Sequence, residues 1–107
     1  MSEIYQQIIQ GITNDLGLDA ETAAELVNDY ISQLPDEISS LKNAISSEDF
    51  TTGAQIAHSI KGASGNLRIM PLHKLAAELE QALKASQSDM AGEMMLQLDA
   101  FMGLLKP

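Results

Sequence analysis

From Leu26 to Ile45 the apolar residues Leu26, Val27, Tyr30, Ile31, Leu34, Ile38, Leu41 and Ile45 recur at helical spacing in a single phase. An α-helix brings such positions onto one face, and a helix this long with one apolar face must bury it against other helices. Pro35 falls inside the run, where a proline kinks or breaks a helix. Because the phase survives across it, the spacing predicts one kinked helix rather than two.

The rest of the chain repeats the pattern. Ile4, Ile8 and Ile12 predict a short amphipathic first helix, and Asp19 with Glu21 behind it predicts the start of the long one. Ser46 or Ser47, followed by Glu48 and Asp49, predicts the cap of a third helix running from Glu48 to Leu67. Pro71 opens a fourth, striped by Leu72, Leu75, Ala76, Leu79, Ala82 and Leu83. Ser88 is expected to cap a fifth, lined by Met94, Leu98, Phe101 and Leu105. The fold expected is all-α: an antiparallel up-down four-helix bundle over about residues 20–105, with a short additional N-terminal helix over about 1–16 as an accessory.

Composition agrees. Valine occurs once and aromatics make up 4% of a chain that is 45% hydrophobic, a mix that favours helix over sheet. A length of 107 residues suits one domain spanning 1–107 and leaves no room for a separate nucleotide-binding domain. Cysteine is absent, which excludes disulfides, thiolate metal sites and thiol nucleophiles. The N-terminus lacks a basic stretch followed by an apolar run, and no apolar run approaches the roughly 18 residues of a membrane span. A cytoplasmic location is the default expectation. Met90, Met94, Met95 and Met102 cluster in the last helix, where core filling is the ordinary use of methionine and a binding groove the rarer one.

The net charge of −9 disfavours nucleic acid and anionic membrane as partners. Between Phe50 and Ala77, however, there is no Asp or Glu, while both histidines, Lys61, Arg68 and Lys74 fall there. That reads equally as chance clustering or as a positive patch suited to an anionic group or an acidic partner.

Within this stretch, "AHSIKGASGNL" carries two glycines inside a helical pattern, each costing about 1 kcal/mol relative to alanine. On a helical wheel Ile56, Ile60, Ala63 and Leu67 form the expected core stripe, and His58 lies about 180° from its centre. Ala54, Gly62 and Gly65 share the face of His58, and Lys61 lies beside it. The glycines either permit close helix packing or clear the surface around an exposed imidazole, and the wheel favours clearance. A neutral imidazole is a nucleophile at physiological pH. A metal site is disfavoured, since no carboxylate stands three or four residues from His58 and His73 lies beyond the next turn. A hydrolytic triad is disfavoured too: Ser64 falls on another side of the helix, and no nucleophile elbow occurs. A histidine beside a lysine with a clear approach suits transient phosphorylation.

At these residues the chain resembles a histidine-containing phosphotransfer (HPt) domain, whose phospho-accepting histidine is followed by Lys-Gly and small residues on one helix of a four-helix bundle. "LPDEISSLKNAI" and "LHKLAAELEQAL" are similar to the helices before and after it. The resemblance implies that His58 is the phospho-acceptor through its outer ring nitrogen, Lys61 its charge partner and Gly62 the clearance position. It implies that Ala54, Gln55 and Gly65 lie on the face that docks a receiver domain. Many family members carry Gly where this chain has Arg68, which then either reduces clearance or adds a basic docking contact.

The resemblance further implies a phosphocarrier rather than an enzyme. It would move phosphate between aspartates of response-regulator receiver domains, downstream of a hybrid sensor histidine kinase, as a diffusible monomer. No nucleotide-binding loop is present in the sequence. No cofactor of its own is expected, the receiver supplying Mg²⁺. An adapter that binds a receiver or kinase without carrying phosphate is the alternative.

Overall fold

The computed structural model describes residues 2–105 and contains five helices: α1 (Glu3–Leu16), α2 (Ala20–Ser46), α3 (Phe50–Asn66), α4 (Met70–Lys84) and α5 (Ser88–Leu104). No strand occurs among the described residues. The helix α2 packs on α3, α3 on α4, α4 on α5, and α5 returns to α2, while α1 lies against α2. No helix among the described residues is long and apolar enough to cross a membrane.

The long α2 is continuous through Pro35, which sits on its exposed side. Val27, Tyr30, Leu34, Ile38 and Leu41 of its stripe are buried, whereas Leu26 is exposed. Its N-cap is Asp19, whose carboxylate accepts from the Thr22 amide at 2.7 Å. α1 is built into the same core through Tyr5, Ile8, Ile9 and Ile12, and the Tyr5 hydroxyl donates to Asn28 Oδ1 of α2 at 2.8 Å.

Two expected caps move. α3 starts behind Asp49, which accepts from the Thr52 amide at 3.3 Å, and not behind Ser46 or Ser47, which end α2. α5 has no side-chain cap, and Ser88 is already its first residue. Both differences have one cause. The connections after α2, α3 and α4 are the same three-residue turn, with Glu48, Arg68 and Ser86 in the left-handed region at φ 58°, 61° and 55°. In each, the following amide reaches back to a carbonyl five residues earlier: Asp49 to Ala44, Ile69 to Ser64, Gln87 to Ala82. These are Schellman-type C-terminal caps made without glycine.

The face that α3 buries also differs from the expected stripe. Gly53, Ala54, Ala57, Ile60 and Ser64 are buried, while Ile56, Ala63 and Leu67 are only partly so. At about 100° per residue, the buried face is rotated by roughly 70° toward His58. His58 therefore lies on the flank of the α3–α4 contact rather than opposite the core.

Candidate functional site

The His58 side chain retains 67% of its exposure, as its position on that flank allows. Its Nδ1 lies 3.1 Å from Oε2 of Glu80, a residue of α4 whose side chain is 4% exposed. The sequence reading missed Glu80. Its signal was a glutamate one position off the apolar stripe, between Leu79 and Leu83, in a helix whose other charges lie outside.

A buried carboxylate requires nearby positive charge. Lys61 of α3 places its ammonium 2.8 Å from Oε1, the enclosed oxygen of that carboxylate. Lys84, one turn beyond Glu80, places its ammonium 3.1 Å from Oε2. The Lys61 contact is the largest influence on the Glu80 carboxyl; burial opposes it, Lys84 adds to it, and the group is pulled down to about 2. Glu80 is thus ionised at neutral pH and can only accept. The proton in the His58–Glu80 contact must sit on Nδ1, which in the neutral ring leaves the Nε2 lone pair free.

The other expected site residues separate. Gln55 is exposed and Ala54 buried, and both line a groove of about 460 Å³ that runs beside His58 along Phe50, Glu80, Leu83 and Lys84. Gly62 is open: a Cβ built there meets nothing within 4 Å. Gly65 is not. A Cβ there would stand 2.9 Å from His73 Nδ1, so its bareness serves packing of α3 on α4, contrary to the clearance expected for it. His73 Nδ1 donates to the Lys61 carbonyl at 2.7 Å, and the Ser64 hydroxyl donates to the Ile60 carbonyl at 2.6 Å.

Arg68 turns away from His58, its Nε 3.2 Å from Asp15 of α1 and its Nη1 donating to the Gly65 carbonyl at 2.9 Å. The acid-free stretch is therefore not one uninterrupted positive patch. Glu80 and Asp15, both from outside it, meet two of its cations. No group of three or more His, Cys, Asp or Glu among the described residues could hold a metal ion.

A family model for the Hpt domain matches residues 25–106, and the chain belongs to that family. The family functions in histidine phosphotransfer within phosphorelays, its domains being phosphocarriers that interact with receiver domains and histidine kinases. Comparison with curated proteins and with solved structures returns no significant match.

Proposed function

We propose that the chain, as one domain with α2–α5 forming an antiparallel up-down bundle, carries a phosphoryl group on Nε2 of His58 between aspartates of receiver domains. The observation that carries this reading is the His58–Glu80 contact: an exposed imidazole whose inner nitrogen is held on an ionised, buried carboxylate. The Nε2 lone pair attacks phosphorus in line, the bond from phosphorus to the aspartyl oxygen breaks, and its electron pair stays on the receiver's carboxylate. The ring keeps its Nδ1 proton, so the positive charge it gains faces Glu80. The return transfer reverses these steps.

Lys61 contributes by stabilising Glu80 from the inner side, and Gly62 by leaving the approach unobstructed. Gln55 and Ala54 belong to the groove that the receiver meets. In this reading the receiver brings Mg²⁺, the carrier is monomeric and cytoplasmic, and a hybrid sensor kinase stands upstream. Neither nucleic acid nor membrane is a partner.

The test is label transfer from a phosphorylated receiver domain. Acid-labile, base-stable label is expected on wild type and on His73→Gln, and none on His58→Gln, whose melting should stay within about 0.5 kcal/mol of wild type because the site is exposed. Tight receiver binding without any label would instead establish the adapter, and label retained by His58→Gln would refute the site.

A further inference from the structure

Of the 15 Asp and Glu in the chain, only Glu37 and Glu80 are not exposed, and they are held differently. Glu80 is met by His58, Lys61 and Lys84. Glu37, half-buried on α2, has no cation and no hydrogen-bond donor on its carboxylate among the described residues. Burial pushes its carboxyl above the ordinary value, and its charge adds to the burial that raises the Tyr30 hydroxyl. Withdrawing a carboxylate from water without a partner is unfavourable, so the fold bears a cost at Glu37 that pairing would remove. Glu37 stands in a groove of about 550 Å³ between α2 and α3, lined also by Asp36, Gln55, Ile56 and Ser59 and by no basic residue. Gln55 lines the groove beside His58 as well, so the two grooves adjoin at that side chain.

We propose that Glu37 pairs with a lysine or arginine of the receiver domain that docks over His58, and so selects among receivers. The inference rests on the carrier reading above and names part of its partner's chemistry. A free metal ion is a poor occupant, since no group of three or more His, Cys, Asp or Glu among the described residues gathers there. A cation carried on a docking surface is different, because the contacts around His58 hold it in place. A receiver with an apolar or acidic residue at the matching edge would bury Glu37 further without pairing it, and is disfavoured for that reason. A glutamate that the fold merely tolerates would lower stability and leave docking alone.

Phosphorylated receiver domains from the same cell are the probes. Single-turnover label transfer to wild type, Glu37→Gln, Glu37→Lys and Glu25→Gln is followed over receiver concentration. Glu25→Gln makes the same change of charge at an exposed site about 18 Å back along α2. For the receiver that labels wild type at the lowest concentration, Glu37→Gln is expected to raise the half-saturating concentration about tenfold and to keep the saturating rate within about twofold. Glu25→Gln should behave as wild type, and Glu37→Lys should lose more than Glu37→Gln. When the receiver's lysines and arginines are replaced one at a time by glutamate, one variant should transfer to Glu37→Lys better than to wild type. The deficit of Glu37→Gln should narrow between about 0.05 M and about 0.5 M salt. Its melting should equal or exceed that of wild type, because an unpaired carboxylate is gone. Equal half-saturating concentrations for wild type and Glu37→Gln would overturn the assignment of Glu37 alone, as would an equal loss in Glu25→Gln or the lack of any receiver variant that restores Glu37→Lys. Wild type labelled by no receiver would overturn the carrier reading and this inference with it.

Discussion

Alanine at Gly62 and at Gly65 distinguishes the two uses of glycine on α3. Each replacement improves helix propensity by about 1 kcal/mol. At Gly62 the new methyl meets nothing within 4 Å, so the whole gain is retained, a rise of about 4 °C or more in Tm for a domain of this size. At Gly65 the methyl would stand 2.9 Å from Nδ1 and 3.1 Å from Cε1 of His73. The ring must move, and the 2.7 Å bond from Nδ1 to the Lys61 carbonyl is lost with it. That bond is worth about 1 kcal/mol net, before any lost packing. The gain is cancelled, and Gly65→Ala is expected about 1–2 kcal/mol less stable than Gly62→Ala. In a His73→Ala background the obstacle is gone, and Gly65→Ala should recover about 1 kcal/mol relative to its parent. Thermal and urea melts followed by circular dichroism give all the differences. Equal stabilisation by both alanines, or no recovery in the His73→Ala background, would refute the packing argument. Gly62→Gln completes the comparison: it should fold as well as wild type yet transfer phosphate more slowly, because its side chain stands in the approach to His58.

Two further perturbations follow from the backbone and from the buried carboxylate. Arg68→Gly should be more stable than Arg68→Ala by about 1 kcal/mol: both lose the exposed contact with Asp15, and only glycine is at ease at φ 61°; equal melting of the two would remove the backbone argument. For Glu80, whose carboxyl lies at about 2 in the folded chain against an ordinary 4.5, the stabilising ionised form is fully present above the unfolded value and is lost as pH falls through the folded one. The stability difference between wild type and Glu80→Gln should therefore be flat above about pH 5 and shrink between about pH 5 and pH 2, and a difference that runs parallel at every pH would refute it.

The helices were legible because their stripes are made of large apolar residues, and His58 because its exposed face carries a distinctive neighbourhood. What escaped has a physical reason in each case. The buried face of α3 is composed of small residues, Gly53, Ala54, Ala57 and Ser64 around Ile60, and it is close approach that buries them. A Cβ on Gly53 would already be 3.2 Å from Leu83 Cδ1. Hydropathy follows the larger Ile56 and Leu67 and so points to the wrong side. The caps escaped because Glu48, Arg68 and Ser86 hold left-handed positions that sequence rules assign to glycine. The family's glycine at the position of Arg68 is a clue to backbone conformation, beside the reduced clearance or basic docking contact expected of the arginine.

Glu80 explains why the misread face and the missed residue are a single matter. A carboxylate on the buried side of α4 is tolerated only because α3 approaches closely enough to bring Lys61 to one oxygen and His58 to the other. That approach depends on the small residues of α3, so the packing that hides Glu80 also fixes the tautomer of His58. Substitutions that separate α3 from α4, a larger residue at Gly53 for example, should therefore loosen the hold on Nδ1 even though the added Cβ meets Leu83 and Ala44 rather than His58, Lys61 or Glu80. Substitutions of equal cost to stability in α1, which packs on α2 and lies outside this contact, should leave the imidazole as it is. On the proposed function, the chemistry at Nε2 thus depends on one helix interface rather than on the stability of the fold as a whole.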